Sequence, residues 1–260
     1  MEGVEVSQPD LSIVIPCYNE EDCLPDTIPP LAAAFDRAGV ATEIILVDNG
    51  STDATSEVID DLIARGLPVK KAAVEVNIGQ GQGFLTGFEK VTGRYAANFC
   101  ADGQVEAEDV VKVYLAAATA GRPTLAKARR RYRNDDWVRK VISIGFNGMM
   151  QVLFIGLPSI DVNGNPKVLP ADILRQMELG STDWFIEAEI MLKAYYLKMP
   201  TIEFDVFGLA REGGQSHVRF DAIIEFLKNV FRYRFGGPWR AWKARNRDRG
   251  YGPESAPTGV

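Results

Sequence analysis

Tyr95-Ala96-Ala97-Asn98-Phe99-Cys100-Ala101-Asp102-Gly103-Gln104 passes from an apolar run into a polar turn. Tyr95 to Phe99 reads as a buried strand, and Asp102-Gly103-Gln104 as the turn that ends it. The acidic Glu106-Ala107-Glu108-Asp109 then opens a helix. A carboxylate at the end of a buried strand is placed to hold a metal or a polar ligand in a crevice. It is equally placed to cap the turn before a helix. The stretch alone does not choose between the two.

The same pattern recurs on its N-terminal side. Buried strands are predicted over Leu11–Pro16 and Glu43–Val47, a less hydrophobic strand over Val69–Val76, and helices over Asp26–Ala38, Ala54–Ala64 and Phe84–Thr92. The second strand runs into Asp48-Asn49-Gly50-Ser51-Thr52-Asp53, a dense turn and cap signal. Asn77 to Gly83 reads as a glycine-rich loop. Strand and helix in alternation predict an α/β fold, an open and mostly parallel sheet with helices on both faces. Ligands bind such sheets beyond the carboxyl ends of the strands. Asn19-Glu20, Asp48-Asn49, the Asn77 loop and Asp102 all fall there, which favours a crevice over four unrelated caps.

The remainder is less regular. Helices are expected over Val110–Ala118, Asp136–Ile155, Asp183–Tyr196 and Phe220–Tyr233, and strands at Leu125–Ala128 and Pro200–Phe207. Arg129 to Arg133 reads as a basic loop, and Asp161 to Lys167 as a polar turn before a short strand. Glu187 and Glu189 are inward candidates on the third of these helices. Their plain alternative is a pair of solvated helix carboxylates.

Composition bounds the answer. At 260 residues, with 46% hydrophobic and 25% charged, the chain suits one large soluble domain or two small ones. The net charge of −6 argues against nucleic acid as a partner. It hides an asymmetry: Lys228 to Arg249 holds eight basic residues and one acidic, leaving 21 basic against 34 acidic elsewhere. Cys17, Cys23 and Cys100 are odd in number and lack zinc-ligand spacing, so a reducing compartment is expected. No secretory signal is read at the N-terminus, and no run approaches the roughly 18 apolar residues of a membrane span. A cytoplasmic protein follows, one that could sit at the inner face of the membrane.

The clusters narrow the chemistry. Gly79-Gln80-Gly81-Gln82-Gly83 fits neither dinucleotide nor Walker spacing. His217, the only histidine, lies beside Ser216 without a nucleophile elbow. Rim carboxylates instead suit Mg²⁺ or Mn²⁺ shared with a substrate diphosphate. Arg131, Arg139 and Arg211 could neutralise its remaining charge, although a basic run is also what a solvated patch looks like.

In order and spacing the motifs resemble the inverting glycosyltransferases of family 2, of GT-A fold, and especially the polyprenyl- and dolichol-phosphate mannose and glucose synthases. The resemblance rests on Leu11 to Glu21 (LSIVIPCYNEE), Val47 to Thr55 (VDNGSTDAT) and Asn77 to Gly93 (NIGQGQGFLTGFEKVTG). It continues through Arg131-Tyr132, Arg139 to Ser143, Asp161 to Lys167 (DVNGNPK), Trp184 to Glu189 (WFIEAE) and Arg211 to Ser216 (REGGQS). It implies a Rossmann-like nucleotide-sugar half joined to an acceptor half. Pro16, Tyr18, Asn19, Glu20 and Asp48 would hold base and ribose. Gly79, Gln82 and Ala101 would line the donor, and Asp102 and Gln104 would bind the metal and diphosphate. Arg131, Arg139, Ser143 and Arg211 would meet phosphates, and Glu187 with Glu189 would supply a general base. The donor would be a GDP- or UDP-linked sugar, and the acceptor a polyprenyl phosphate or a hydroxyl on a small molecule, natural product or polymer.

Three departures stand out. Cys100 takes the place of the first Asp of an Asp-x-Asp motif, Gln80 or Gln82 that of a basic residue, and Glu187 that of an Asp. They also admit a weakened, nucleotide-sugar-binding protein. The expected organisation is a tail over 1–10, the transferase domain over 11–219, a basic-aromatic helical segment over 220–249 and a disordered tail over 250–260. Residues 226–249 would touch an anionic membrane surface or pack their aromatic face on the domain. Self-association is left open.

Overall fold

The computed structural model describes residues 8–101, 103–132, 137–159, 161–207 and 220–247, with the backbone alone at 130–132, 137–143, 207, 220–227 and 238. Seven strands form one sheet: β1 (Leu11–Cys17), β2 (Thr42–Asp48), β3 (Val69–Ala73), β4 (Tyr95–Asn98), β5 (Leu125–Tyr132), β6 (Lys167–Pro170) and β7 (Thr201–Phe207). Their order is β3-β2-β1-β4-β6-β5-β7. The first four are mutually parallel, β6 runs antiparallel to both β4 and β5, and β5 is parallel to β7.

Alternate residues of a strand point to opposite faces, so one apolar run can feed two cores. Leu11, Ile13, Ile15 and Cys17 of β1, with Ile44 and Leu46 of β2, enter one core. It is closed by α1 (Leu24–Arg37), α2 (Thr55–Ala64) and, past the intervening α3 (Gln80–Phe88), by α4 (Ala107–Ala118). Val14, Ile45 and Val47 enter the other, with Phe84 of α3. That face is completed by α5 (Trp137–Leu153), α6 (Ala171–Met177), α7 (Ile186–Tyr196), α8 (Phe220–Phe235) and α9 (Gly237–Arg245). Each fully buried Ile or Leu contributes roughly 1.5–3 kcal/mol, so both faces of β1 and β2 are committed.

A carboxylate locks the amino end of the sheet. Glu43 is buried and accepts hydrogen bonds from Ser12 Oγ, from Lys70 Nζ and, at 2.8 Å each, from the amide and hydroxyl of Thr92. Burial alone would raise this carboxyl; the Lys70, Ser12 and Thr92 donors outweigh it and hold the pKa below the ordinary value.

The structure alters several sequence expectations. Arg129 to Tyr132 is strand, not loop: β5 continues because β7 pairs with it to Phe207, through an irregularity between Arg130 and Tyr132. β3 stops at Ala73, and α3 begins at Gln80, inside the expected glycine loop. Trp184 and Phe185 lie in the turn before α7. Among the described residues, no helix is long and apolar enough to cross a membrane.

Candidate active site

Parallel β2, β1 and β4 bring Asp48, Cys17 and Asn98 to one edge. The loops after β1 and β2 are tied together there. Asn19, at φ 54°, accepts the Thr52 amide on Oδ1 at 2.8 Å and donates its own amide to Ser51 Oγ at 3.2 Å. The Glu20 amide donates to Thr55 Oγ1 at 2.9 Å, and Asp48 Oδ1 accepts the Ser51 amide at 2.9 Å. Asn19 is thus occupied in joining two loops, whereas the Tyr18 ring is 41% exposed at their rim. Burial, then the nearby Glu20 and Asp48 carboxylates, push the Cys17 thiol well above its ordinary pKa. Pro16, Tyr18, Glu20 and Asp48 therefore share one corner.

The glycine-rich stretch serves close packing. A Cβ at Gly79 would lie 2.5 Å from the Thr182 carbonyl oxygen, and one at Gly81 only 2.3 Å from that of Ser181. At Gly83 and Gly87 it would strike Pro16 and Val14. The first turn of α3 is covered by the chain at 181–183, and the Gln82 amide donates to the Thr182 carbonyl at 3.0 Å. The Gln82 side chain turns back to Thr86 Oγ1 at 3.3 Å.

A buried polar cluster lies beyond β4. Glu187, 2% exposed, accepts Asn98 Nδ2 on both carboxylate oxygens, at 2.9 and 2.8 Å, and is ion-paired with the fully buried Lys167. Asn98 Nδ2 also reaches Asn165 Oδ1 at 2.7 Å. The Cys100 sulfur accepts from Gln80 Nε2 at 3.4 Å and from Asn165 Nδ2 at 3.3 Å. Among the described residues, Asn98 Oδ1 and Gln80 Oε1 are buried acceptors without a donor. Strand register extends the cluster across the sheet, where Asn98 faces Lys167, Lys167 faces Lys127 and Lys127 faces Glu203. Burial, then the adjacent Lys167, push the Lys127 ammonium down to about 8.

Glu189 is not part of this cluster. Two residues along a helix turn a side chain by about 200°, so Glu187 and Glu189 face opposite ways. Glu189 accepts the amides of Gly180 and Ser181, at 3.1 and 2.9 Å, and pairs with Lys193 at 2.7 Å. It holds the 180–183 chain that covers α3. Both carboxylates are buried and paired, which removes the solvated alternative.

Ala101 is buried and accepts Thr27 Oγ1 at 3.2 Å, and Gln104 is half-buried nearby. Asp102 and Arg211 lie outside the described residues, as do the side chains of Arg131, Arg139 and Ser143. Arg129 is paired with Asp205 on β7 at 2.5 Å. Asn98, Asn165 and Lys167 carried no sequence signal as a group: they converge only through the antiparallel pairing of β4 and β6. A sulfur already engaged by two amide donors fits a hard dication poorly.

Such a sheet, with carboxylates and amides gathered at its carboxyl edge, defines an open, mostly parallel α/β fold with helices on both faces. The solved structure of glucosyl-3-phosphoglycerate synthase from Mycobacterium tuberculosis, in complex with Mn²⁺, UDP and phosphoglyceric acid, superposes on it with a TM-score of 0.68. Identity is 17%, over 88% of this chain and 80% of that one, and the shared architecture is the GT-A fold. The family described as Glycosyl transferase family 2 matches residues 12–168, and the chain belongs to it. Curated relatives include the undecaprenyl-phosphate 4-deoxy-4-formamido-L-arabinose transferases of Edwardsiella ictaluri and Aeromonas hydrophila, 33% and 34% identical over 142 residues. Each match spans 54% of this chain and 43% of the relative.

Proposed function

We propose that the protein transfers a sugar, with inversion, from a GDP- or UDP-linked donor to an acceptor that arrives already ionised, a polyprenyl phosphate. The observation that carries this is the state of Glu187. A general base must offer a free lone pair to the hydroxyl it deprotonates. Glu187 is 2% exposed, is ion-paired to Lys167, and shares an Asn98 amide hydrogen between its two oxygens, so it is turned to protein donors rather than to an acceptor hydroxyl. As the partner of a fully buried ammonium it is held for charge balance within the fold. A phosphate acceptor needs no base. Its oxygen attacks the anomeric carbon opposite the leaving diphosphate, forming the new C–O bond as the old one breaks.

In this reading Pro16, Tyr18, Asn19, Glu20 and Asp48 surround base and ribose. The unpartnered Asn98 Oδ1 and Gln80 Oε1 suit sugar hydroxyls as donors. Asp102 and Gln104 would hold Mg²⁺ or Mn²⁺ together with the donor diphosphate, and the ion would supply charge neutralisation there. Arg131, Arg139, Ser143 and Arg211 would meet the phosphates, as the sequence motifs imply. The donor class assigns the reaction to the cytoplasmic side of the membrane.

The test is transfer of labelled sugar from a panel of UDP- and GDP-sugars to a short-chain polyprenyl phosphate, with the product anomer read by NMR. Inverted product on the lipid phosphate is expected; label appearing only on hydroxyl acceptors overturns the reading. Cys100, amide-bound where the motif carries a carboxylate, favours one rival, a nucleotide-sugar-binding protein with weakened catalysis. Donor-induced thermal stabilisation without transfer or hydrolysis would establish that rival.

A further inference from the structure

Trp239 and Trp242 are buried, so α9 lays its aromatic side on the domain. Under Trp242 lies Lys193 of α7, 3% exposed, its ammonium 5.2 Å from the ring centre. That ammonium donates to the Glu178 carbonyl at 2.8 Å and pairs with Glu189 at 2.7 Å. Glu189 accepts the Gly180 and Ser181 amides, which open the chain packed on the first turn of α3. Helix α8 holds the far end of that chain, where Asn229 Nδ2 donates to the Asp183 carboxylate. The Gln82 amide closes the contact on the Thr182 carbonyl, and Gln80, in the same turn, reaches Cys100 at 3.4 Å. One series of contacts thus runs from α9 through α7 to Gln80 at the carboxyl edge of the sheet.

We propose that Lys193 is a positioning residue for the donor: through Glu189 and the 180–183 chain it fixes the first turn of α3, and with it the reach of Gln80 to the donor sugar. A buried ion pair gains little over apolar packing of the same volume, so stability alone does not account for this one. What the pair supplies is placement. Lys193 gives a further hydrogen to a backbone carbonyl and Glu189 accepts two backbone amides, so both side chains fix the path of residues 178–181. The glycines leave no slack beyond it. A Cβ at Gly79 or Gly81 would overlap the Thr182 or Ser181 carbonyl, so chain and turn meet backbone to backbone and move together. Gln80 Oε1, a buried acceptor without a donor among the described residues, is the atom such a shift would displace. That Gln80 meets a donor sugar rests on the transfer reading; the contact series stands without it.

The experiment combines hydrogen exchange with calorimetric Kd values for UDP-glucose and GDP-mannose, on the full chain. The variants are Lys193→Met and the milder Asn229→Ala, whose side chain is only half-buried and which frees the same 180–183 chain from α8 if the first does not fold. Exchange over 79–83 and 180–183 should quicken by roughly tenfold in Lys193→Met and by less in Asn229→Ala, with β1 unchanged. The Kd of the bound donor should rise by a similar factor. Added to Gln80→Ala, Lys193→Met should weaken the donor no further, because the side chain it places is gone. A residue that only stabilises the fold would give effects that multiply. Multiplying effects therefore overturn the proposal, as does wild-type exchange over 79–83 in both variants, or β1 exchange quickening in parallel. Exchange and Kd use no acceptor, so donor binding with intact coupling but no transfer would remove the transfer reading alone.

Discussion

Replacing Lys167 by Met tests the buried cluster directly. The Lys167 and Glu187 side chains are 0% and 3% exposed and form an ion pair, and among the described residues Glu187 otherwise has only Asn98 as a donor. Removing one partner of such a pair leaves an uncompensated buried charge and costs about 3–5 kcal/mol. For a chain of this length that lowers the midpoint of thermal unfolding by on the order of 10 °C. Replacing both partners with apolar residues, Lys167→Met with Glu187→Leu, removes the charge and the desolvation together. The double variant should therefore recover most of the loss. Urea unfolding of the four proteins, with unchanged slopes, gives the coupling energy. A single-variant cost below about 1 kcal/mol, or a double variant no better than the single, would show that Glu187 is not held as described, and the argument against its acting as a base would fall with it.

Glycines give a contrasting pair: Gly81→Ala drives a Cβ against the Ser181 carbonyl and should lower the unfolding midpoint, whereas Gly148→Ala enters open space on a helix and should raise stability by about 0.5–1 kcal/mol. Denaturant midpoints in either opposite direction would contradict the packing at that position. The Glu43 carboxyl is depressed in the folded state, so its contribution is complete above its unfolded value near 4.5 and is lost as pH falls through the lower folded value. Glu43→Gln should flatten the acid limb of the thermal midpoint against pH; parallel curves for the two proteins would refute the linkage. Cys100→Asp should add a Mg²⁺-dependent component to donor-induced thermal stabilisation, read with and without chelator; no added component would exclude that position from the metal's reach.

Much of the architecture is legible in local pattern. The apolar runs at Leu11, Glu43 and Tyr95 become strands, and the cap-rich turn at Asp48 does end one. Errors cluster where a distant partner overrides local signal. Arg129 looks solvated until β7 supplies Asp205, and the glycines look like a phosphate loop until the 180–183 chain packs on them. Glu187 and Glu189 read as one acidic motif, yet helix geometry separates them, one to the buried cluster beyond β4 and the other to the 180–183 chain.

By itself the sequence determined the family, the strand–helix alternation and the edge of the sheet where the polar groups collect. Those depend on periodicity and turn chemistry within a few residues. Only the tertiary structure decided which charges are paired. Asn98 meets Glu187, Ser12 meets Glu43 and Gln80 meets Cys100 across 89, 31 and 20 positions. A buried polar group must find its partner wherever the fold brings one, and no spacing along the chain records that choice.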